Sequence, residues 1–155
     1  MSRKTLSVAI ATLVLMASVP NVAQAEAFVS DSLNPQTFGP VEVYLNDSTY
    51  DGCWTNLGEA KTYAEDKLRG LGYTVVSESF GWFAISVNSE RMSNGQCYGN
   101  ISIQMYRGER VNGLLGWLEV VASATIFLRN ENANIYVLHA IKDTIDDMAA
   151  EQRAQ

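Results

Sequence analysis

Two long stretches of alternating residues in the second half of the chain constrain its fold most. Residues 97–106 carry apolar or small side chains at odd positions and polar or tyrosine side chains at even positions. Residues 114–128 carry apolar side chains at the even positions from 118 onward. A period of two residues is typical of a β-strand with one buried face. Because only a short polar segment with the pair Asn112-Gly113 separates the two stretches, the sequence predicts an antiparallel hairpin.

Two amphipathic helices are predicted, one on either side of the strand-rich middle. The first begins at Asn56, with Glu59 three residues on in a capping-box spacing, and ends at Gly70 and Gly72. Its apolar face contains Leu57, Ala60, Ala64, Leu68 and Leu71. The last helix follows three candidate caps, and its apolar stripe contains Ile135, Leu138, Ile141, Ile145 and Met148. Both patterns recur at the three- and four-residue spacing of an α-helix.

Further β-rich runs complete the order of elements. They are residues 41–45, 73–77 and 82–87. The resulting order is β-α-β-β-β-β-α, in which the first two strands flank a helix and are predicted to pair in parallel through a crossover. Both helical stripes need an apolar sheet face to cover them. We therefore predict an α+β fold, with a mainly antiparallel sheet and both helices on one face.

The amino-terminal residues resemble a cleavable signal peptide, residues 1–25. Arg3 and Lys4 precede an apolar run of about 14 residues, and Ala23-Gln24-Ala25 is a small-x-small cleavage site. This run is shorter than the ~20 residues that span a bilayer. An uncleaved anchor is the alternative. Residues 26–40 are predicted to be an extended arm and residues 41–150 a single domain, which is expected to be soluble and periplasmic or secreted.

The charge balance excludes one class of partner. Removing Arg3 and Lys4 from the 11 basic residues leaves 9 against 17 acidic residues, a net charge of −8. An acidic chain repels the phosphate backbone, so we expect no nucleic-acid partner. No second long apolar run follows the first, so no membrane span is expected in the exported part.

The two cysteines, Cys53 and Cys97, are predicted to form a disulfide. In an oxidising compartment an isolated pair usually bridges. The closed loop of about 45 residues would contribute about 4 kcal/mol in the chain-entropy model. A thiol nucleophile or a redox pair is the alternative, but the chain has no CxxC spacing.

The order of elements resembles that of small α/β domains in bacterial envelope proteins. The residues that carry the resemblance are the strand Val41–Leu45, the helix end Leu68-Arg69-Gly70-Leu71-Gly72 and the run Tyr73–Val76. The chain is similar in this order to the amino-terminal domain of the Tol-system propeller protein and to the periplasmic core of curli-secretion proteins. The resemblance covers most of residues 41–148 and implies a role in envelope assembly.

Tyr98, Asn100, Gln104 and Tyr106 form a candidate binding surface. They lie on the more polar face of one predicted strand. If the helices cover the opposite face, these side chains meet solvent or a partner, and tyrosines among amides suit contact with a protein or a sugar. Cross-strand pairing that shields the sheet is the alternative explanation. Trp54, Trp82 and Trp117 are further candidates for an aromatic surface.

Candidate catalytic groups are few. His139 is the only histidine and lies within the last predicted helix, so a hydrolase would have to use it. Asp143, Asp146, Asp147 and Glu151 make an acidic helix face without a calcium-loop spacing. Asp47, Asp51 and Glu59 surround the start of the first helix, where turn and cap roles explain them more simply than acid–base catalysis. We predict no catalytic residue, no metal site and no cofactor.

Three functions are compatible with these features. The first is a non-enzymatic envelope protein that binds another envelope protein as an assembly accessory. The second is a periplasmic protein that binds a small ligand or a polysaccharide. The third is a hydrolase.

Overall fold

The computed structural model describes residues 25–28 and 33–154. For residues 25–28 and for residues 111, 129 and 130 it describes the backbone alone. The predicted signal peptide lies outside the described residues apart from its last residue, Ala25. No helix among the described residues combines the length and the apolar character needed to cross a bilayer.

Five strands and three helices make up the described fold. In chain order they are β1 (Ala25–Phe28), α1 (Pro35–Phe38), β2 (Val41–Thr49), α2 (Leu57–Gly70), β3 (Gly81–Arg91), β4 (Cys97–Val111), β5 (Leu114–Asn130) and α3 (Asn134–Ala154). The strands form one sheet in the order β1-β5-β4-β3-β2. Only β2 and β3 pair in parallel, and the other three pairings are antiparallel.

The predicted α+β class is confirmed, with both long helices on one face of a mainly antiparallel sheet. The inner face of the sheet consists of alternate strand residues that are buried together with the apolar stripes of α2 and α3. These strand residues are Val41, Val43, Phe83, Ile85, Val87, Ile101, Ile103, Met105, Val121 and Phe127. They form one core cluster with Ala60, Ala64 and Leu68 of α2 and Val137, Ile141, Ile145 and Met148 of α3. The prediction that Ile135 belongs to this stripe was wrong, because Ile135 is exposed.

The predicted strand at residues 73–77 is not a strand of the sheet. Gly72, at φ +93°, turns the chain after α2, and the buried Tyr73 donates a hydrogen bond from its hydroxyl to the Leu33 carbonyl over 2.6 Å. Only Val75 forms a bridge, to Val41. The parallel neighbour of β2 is therefore β3, and α2 lies in the longer crossover between them.

The predicted extended arm, residues 26–40, is folded for most of its described length. β1 pairs with β5, and the short helix α1 is capped by Asn34, whose side chain accepts from the Gln36 N–H over 2.9 Å. Phe38 is buried against Tyr73 with ring centroids 5.5 Å apart. Leu33 and Phe38 are buried and pack this segment onto the core.

A β-bulge in β5 reverses which of its residues face the core. Met105 pairs with Val121 while Tyr106 pairs with Glu119, so Val120 is an extra residue without a partner on β4. An extra residue shifts the alternation by one position. Val120 and Val121 are consequently both buried. Beyond the bulge the odd residues face the core, and the prediction that even residues such as 126 and 128 do so was wrong.

Candidate functional site

The four predicted binding residues share the face of the sheet opposite the helices, here called the outer face. On β4 they are opposite Glu90, Asn88, Ala84 and Trp82 of β3 in chain order. Tyr98 is 38% exposed and Asn100 is exposed, whereas Gln104 and Tyr106 are half-buried. The structure thus brings the four residues onto one surface, and their role in binding stays a prediction.

Carboxylates hold the two tyrosines and the glutamine in place. The Tyr98 hydroxyl donates to Glu90 Oε2 over 2.9 Å, and this hydrogen bond, followed by the charge of Glu90, raises the pKa of Tyr98. Gln104 Nε2 donates to Glu119 Oε2 over 3.3 Å. Burial, then the hydrogen bond to Glu119, raises the pKa of Tyr106. Both phenols therefore stay neutral at physiological pH and act as donors to carboxylates.

The tryptophans divide between the core and the far end of the outer face. Trp82 and Trp117 stack with centroids 5.5 Å apart and an interplanar angle of 17°. Trp82 also donates from Nε1 to the Ser79 carbonyl over 2.9 Å. Trp54 is buried and donates from Nε1 to Asn56 Oδ1 over 3.0 Å. Trp54 is thus excluded from an exposed aromatic surface.

Two apolar members of the outer face were not predicted from the sequence. Ile126 and Leu128 are 57% and 62% exposed, and Ile126 is paired opposite Asn100. They lie there because the bulge at Val120 shifts the alternation of β5. The signal in the sequence is the pair Val120-Val121, in which two aliphatic residues interrupt the alternation.

The outer face is negatively charged. Up to the level of Tyr106, the charged residues at the outward positions of β2 to β5 are Glu42, Glu90 and Glu119, whereas Arg110 occupies an outward position of β4 beyond that level. Between them lie amide and hydroxyl side chains, including Asn88 opposite Asn100 and Ser86 opposite Ser102. This composition favours a ligand that carries positive charge or hydrogen-bond donors.

The candidate catalytic groups lie elsewhere and have local roles. His139 is exposed on α3, in the helical layer. Asp146 pairs with Lys142 over 2.7 Å, and this hydrogen bond lowers the pKa of Asp146. Asp47 accepts from the Thr49 N–H and hydroxyl over 3.0 and 2.7 Å.

The carboxylate of Glu59, at the start of α2, also has a local partner. It accepts from Asn56 Nδ2 over 2.9 Å. Asn56 lacks the predicted side-chain bond to the helix backbone, because its Oδ1 accepts from Trp54 Nε1 instead. Among the residues that the structure describes, no three His, Cys, Asp or Glu side chains cluster as a metal site would require.

The predicted disulfide is confirmed. Cys53 and Cys97 are bonded, with their Cα atoms 5.7 Å apart and 44 residues of separation along the chain. Both residues are fully buried. The bond ties the segment before α2 to the first residue of β4, and so anchors the strand that carries the candidate surface.

The fold defines the chain as an α+β domain in which one side of a mixed five-stranded sheet is covered by helices. No protein-family model and no curated protein sequence matches the chain. Among solved structures, a variant of the PelC dodecamer from Paraburkholderia phytofirmans is similar over 81% of this chain and 96% of its own, at 10% sequence identity and a TM-score of 0.45. A second PelC dodecamer structure from the same organism is similar over 87% and 98%, at 11% identity and a TM-score of 0.44.

Proposed function

We propose that the chain is an exported, non-enzymatic envelope protein that binds another protein through the outer face of its sheet. The observation that carries the proposal is the position of α2 and α3, which cover the inner face and leave the outer face to solvent in the described part of the chain. The signal-peptide pattern and the buried disulfide support export, because disulfides persist in oxidising compartments.

The exposed apolar side chains of the outer face favour a macromolecular partner. Ile126, Leu128 and Tyr98 are exposed beside Asn100 at one end of β4 and β5. Apolar and tyrosine side chains next to amides are characteristic of the contact area of protein interfaces. Large aliphatic side chains that stay exposed in the free molecule gain most from such a contact, since covering each of them removes apolar area from water.

The charge of the outer face specifies the partner further. Up to the level of Tyr106, its charged residues in β2 to β5 are Glu42, Glu90 and Glu119. A partner with lysine or arginine on the matching surface would gain both affinity and a faster encounter, and the binding would weaken as salt rises. The partner is therefore an envelope protein with a basic contact surface.

Photo-crosslinking in cells tests this function. A benzophenone amino acid is placed at Asn100 on the outer face or, as a control, at Asp66, which is exposed on α2. We expect one discrete protein adduct from position 100 that is absent from position 66. We also expect the change Ile126→Arg to abolish the adduct, because it places a bulky cation on the contact surface, and Ile135→Arg on α3 to preserve it.

Two outcomes contradict the proposal. One is the absence of any adduct from position 100 in cells that export the protein. The other is an adduct that survives Ile126→Arg, since the contact would then not involve the apolar side chains that motivate the proposal.

A glycan ligand is the second candidate, and one observation favours it. Asn88, Glu90, Tyr98 and Asn100 line a shallow depression of about 220 Å³ on the outer face. An aromatic ring beside amides and a carboxylate can stack on a sugar ring and bond its hydroxyls. Thermal stabilisation by an oligosaccharide that Asn100→Ala removes would support this candidate, and no shift with a panel of envelope glycans would contradict it. A hydrolase that uses His139 stays a sequence hypothesis.

A further inference from the structure

The β4–β5 hairpin extends beyond the rest of the sheet. The last pair between β3 and β4 is Trp82–Tyr106, whereas pairing between β4 and β5 continues to Val111–Leu114. Residues 107–118, here called the hairpin arm, thus pair only with each other among the described strands. The arm ends in a tight turn with positive φ at Asn112 and Gly113, 53° and 82°. Five residues of strand beyond Tyr106 correspond to a length of about 17 Å.

The root of the arm contacts the rest of the molecule, whereas its tip has no described contact outside the arm. At the root, a Cβ added to Gly108 would lie 3.0 Å from Phe80 Cβ, so the two backbones are in close contact. Trp117 stacks on Trp82 at the same level. Beyond this level the arm is a two-stranded ribbon, which has little stability of its own in water.

Apolar side chains surround the tip on both faces. Leu114 and Leu115 are 76% and 41% exposed, and Trp117 and Leu118 are 50% and 38% exposed. Consecutive residues of a strand point to opposite faces. The pairs 114–115 and 117–118 therefore each place one apolar side chain on either face of the ribbon. A protein partner docked on one face would leave the other face in water. A bilayer interface surrounds a tip from every side and would cover both.

The charge of the arm is opposite to that of the chain. The chain has a net charge of −6, but the arm contains two arginines and one glutamate. Arg107 pairs with Glu109, and Arg110 is exposed next to the turn and makes no ion pair with a described residue. An arginine beside leucines and a tryptophan matches the boundary between phosphate headgroups and acyl chains, where arginine binds phosphate and tryptophan is enriched.

We infer that the tip of the hairpin arm binds the surface of a bilayer that contains anionic phospholipids. Leu114 and Leu115 enter the boundary between headgroups and acyl chains, Trp117 lies at the headgroup level and Arg110 binds a phosphate. The two edges of the ribbon carry backbone groups without strand partners, which hydrocarbon does not tolerate. Insertion is therefore limited to the turn and the leucines next to it. The sheet stays in water, with its outer face available to a protein.

Vesicle co-sedimentation tests the inference with the protein purified after export. The vesicles contain either phosphatidylcholine alone or equal parts of phosphatidylcholine and phosphatidylglycerol. We expect binding to the mixed vesicles, weaker binding to phosphatidylcholine alone, and a decrease as salt rises, because the arginine contributes a screened electrostatic attraction. A blue shift of tryptophan fluorescence on binding reports the entry of Trp117 into a less polar environment.

Matched variants locate the contact. Leu114→Gln is expected to weaken binding about tenfold, which corresponds to loss of about one buried leucine side chain. Ile135→Gln removes an aliphatic side chain of 60% exposure from α3 and is expected to leave binding unchanged. Arg110→Gln should weaken binding to the mixed vesicles more than binding to phosphatidylcholine alone, because only the mixed vesicles have a negative surface potential. Leu115→Gln replaces Leu114→Gln if that variant does not fold.

Three results overturn the inference. They are no binding of the wild-type chain to mixed vesicles, binding that Leu114→Gln and Leu115→Gln leave intact, and an equal loss in Ile135→Gln. Because these variants leave Tyr98, Asn100 and Ile126 unchanged, the crosslink from position 100 can persist when vesicle binding fails, so the two proposals fail separately.

Discussion

The two ends of the β4–β5 hairpin share one backbone ladder and differ in everything that surrounds it. At the base, residues 97–106 pair with β3 as well as β5, and Ile101, Ile103 and Met105 are buried beneath the helices. In the arm, residues 107–118 have one neighbouring strand, and Leu114 is 76% exposed. The difference shows that alternation alone does not decide burial. Burial also requires a second neighbouring strand and a helix that covers the face.

The largest expected effect concerns the disulfide, which anchors the base and leaves the arm untied. Replacing both Cys53 and Cys97 by alanine is expected to lower the free energy of unfolding by about 4 kcal/mol, because the unfolded chain regains the freedom of a long loop. Urea denaturation of the two forms measures the change. A change below about 1 kcal/mol would mean that the base is held by packing alone.

The next effect compares one buried and one exposed apolar side chain of the same hairpin. Met105→Ala is expected to cost about 3 kcal/mol, since it leaves a cavity in the core. Leu114→Ala in the arm is expected to cost less than about 0.5 kcal/mol. Denaturant midpoints with unchanged slopes provide the comparison. Similar losses at the two positions would show that the arm is packed in solution.

Two glycines of the hairpin test the same contrast without removing an apolar side chain. A Cβ at Gly99 would lie 2.1 Å from the Asn88 carbonyl oxygen, while one at Gly116 meets no atom within 4 Å. Gly99→Ala is therefore expected to destabilise by about 1–3 kcal/mol through overpacking. Gly116→Ala is expected to be neutral or to stabilise slightly. Thermal unfolding of the two variants shows whether each substitution raises or lowers the stability. An unchanged stability of Gly99→Ala would contradict the close approach of β3 to β4.

The last effect is a pH dependence in the packed part of the molecule. Burial raises the pKa of Tyr73 to about 12. The unfolded phenol ionises near pH 10, so the stabilisation from the neutral buried phenol is complete below pH 10 and is lost as the pH rises from 10 to 12. Tyr73→Phe should remove this part of the decline and cost about 1 kcal/mol at neutral pH, where Gln152 still donates to the Leu33 carbonyl. Denaturation of the wild-type chain and of Tyr73→Phe at several alkaline pH values tests this expectation. An identical decline in the free energy of unfolding of the two proteins would contradict it.

Much of this fold could be predicted from the sequence because its strongest patterns are local. The alternation of residues 97–106 and the helical spacing of Ala60, Ala64 and Leu68 each follow from a single periodicity, and the structure has both elements. The cysteine pairing followed from the compartment and from the presence of only two cysteines. The placement of Tyr98 and Asn100 opposite the helices followed from where the apolar stripes had to pack.

The errors arose where tertiary contacts outweigh local preference. Residues 73–77 are rich in β-formers, yet Tyr73 turns into the core toward Leu33 and the parallel position beside β2 goes to β3. In β5, one extra residue at Val120 exposes Ile126. The pair Val120-Val121 interrupts the alternation in the sequence, but it does not show which of the two residues is left unpaired, since a bulge is set by the fit between two strands. The length by which the arm extends beyond the sheet depends on where β3 begins, and the sequence of the arm does not show this.

Amide hydrogen exchange, resolved along β4 and β5, measures the difference between base and arm residue by residue. We predict that the amides of residues 101–105 exchange only through global unfolding, and that those of residues 109–116 exchange faster by at least about two orders of magnitude through local opening. Equal protection of the two segments in the free protein would contradict this difference, because the arm would then be supported by contacts that leave neither Leu114 nor Trp117 open to a partner.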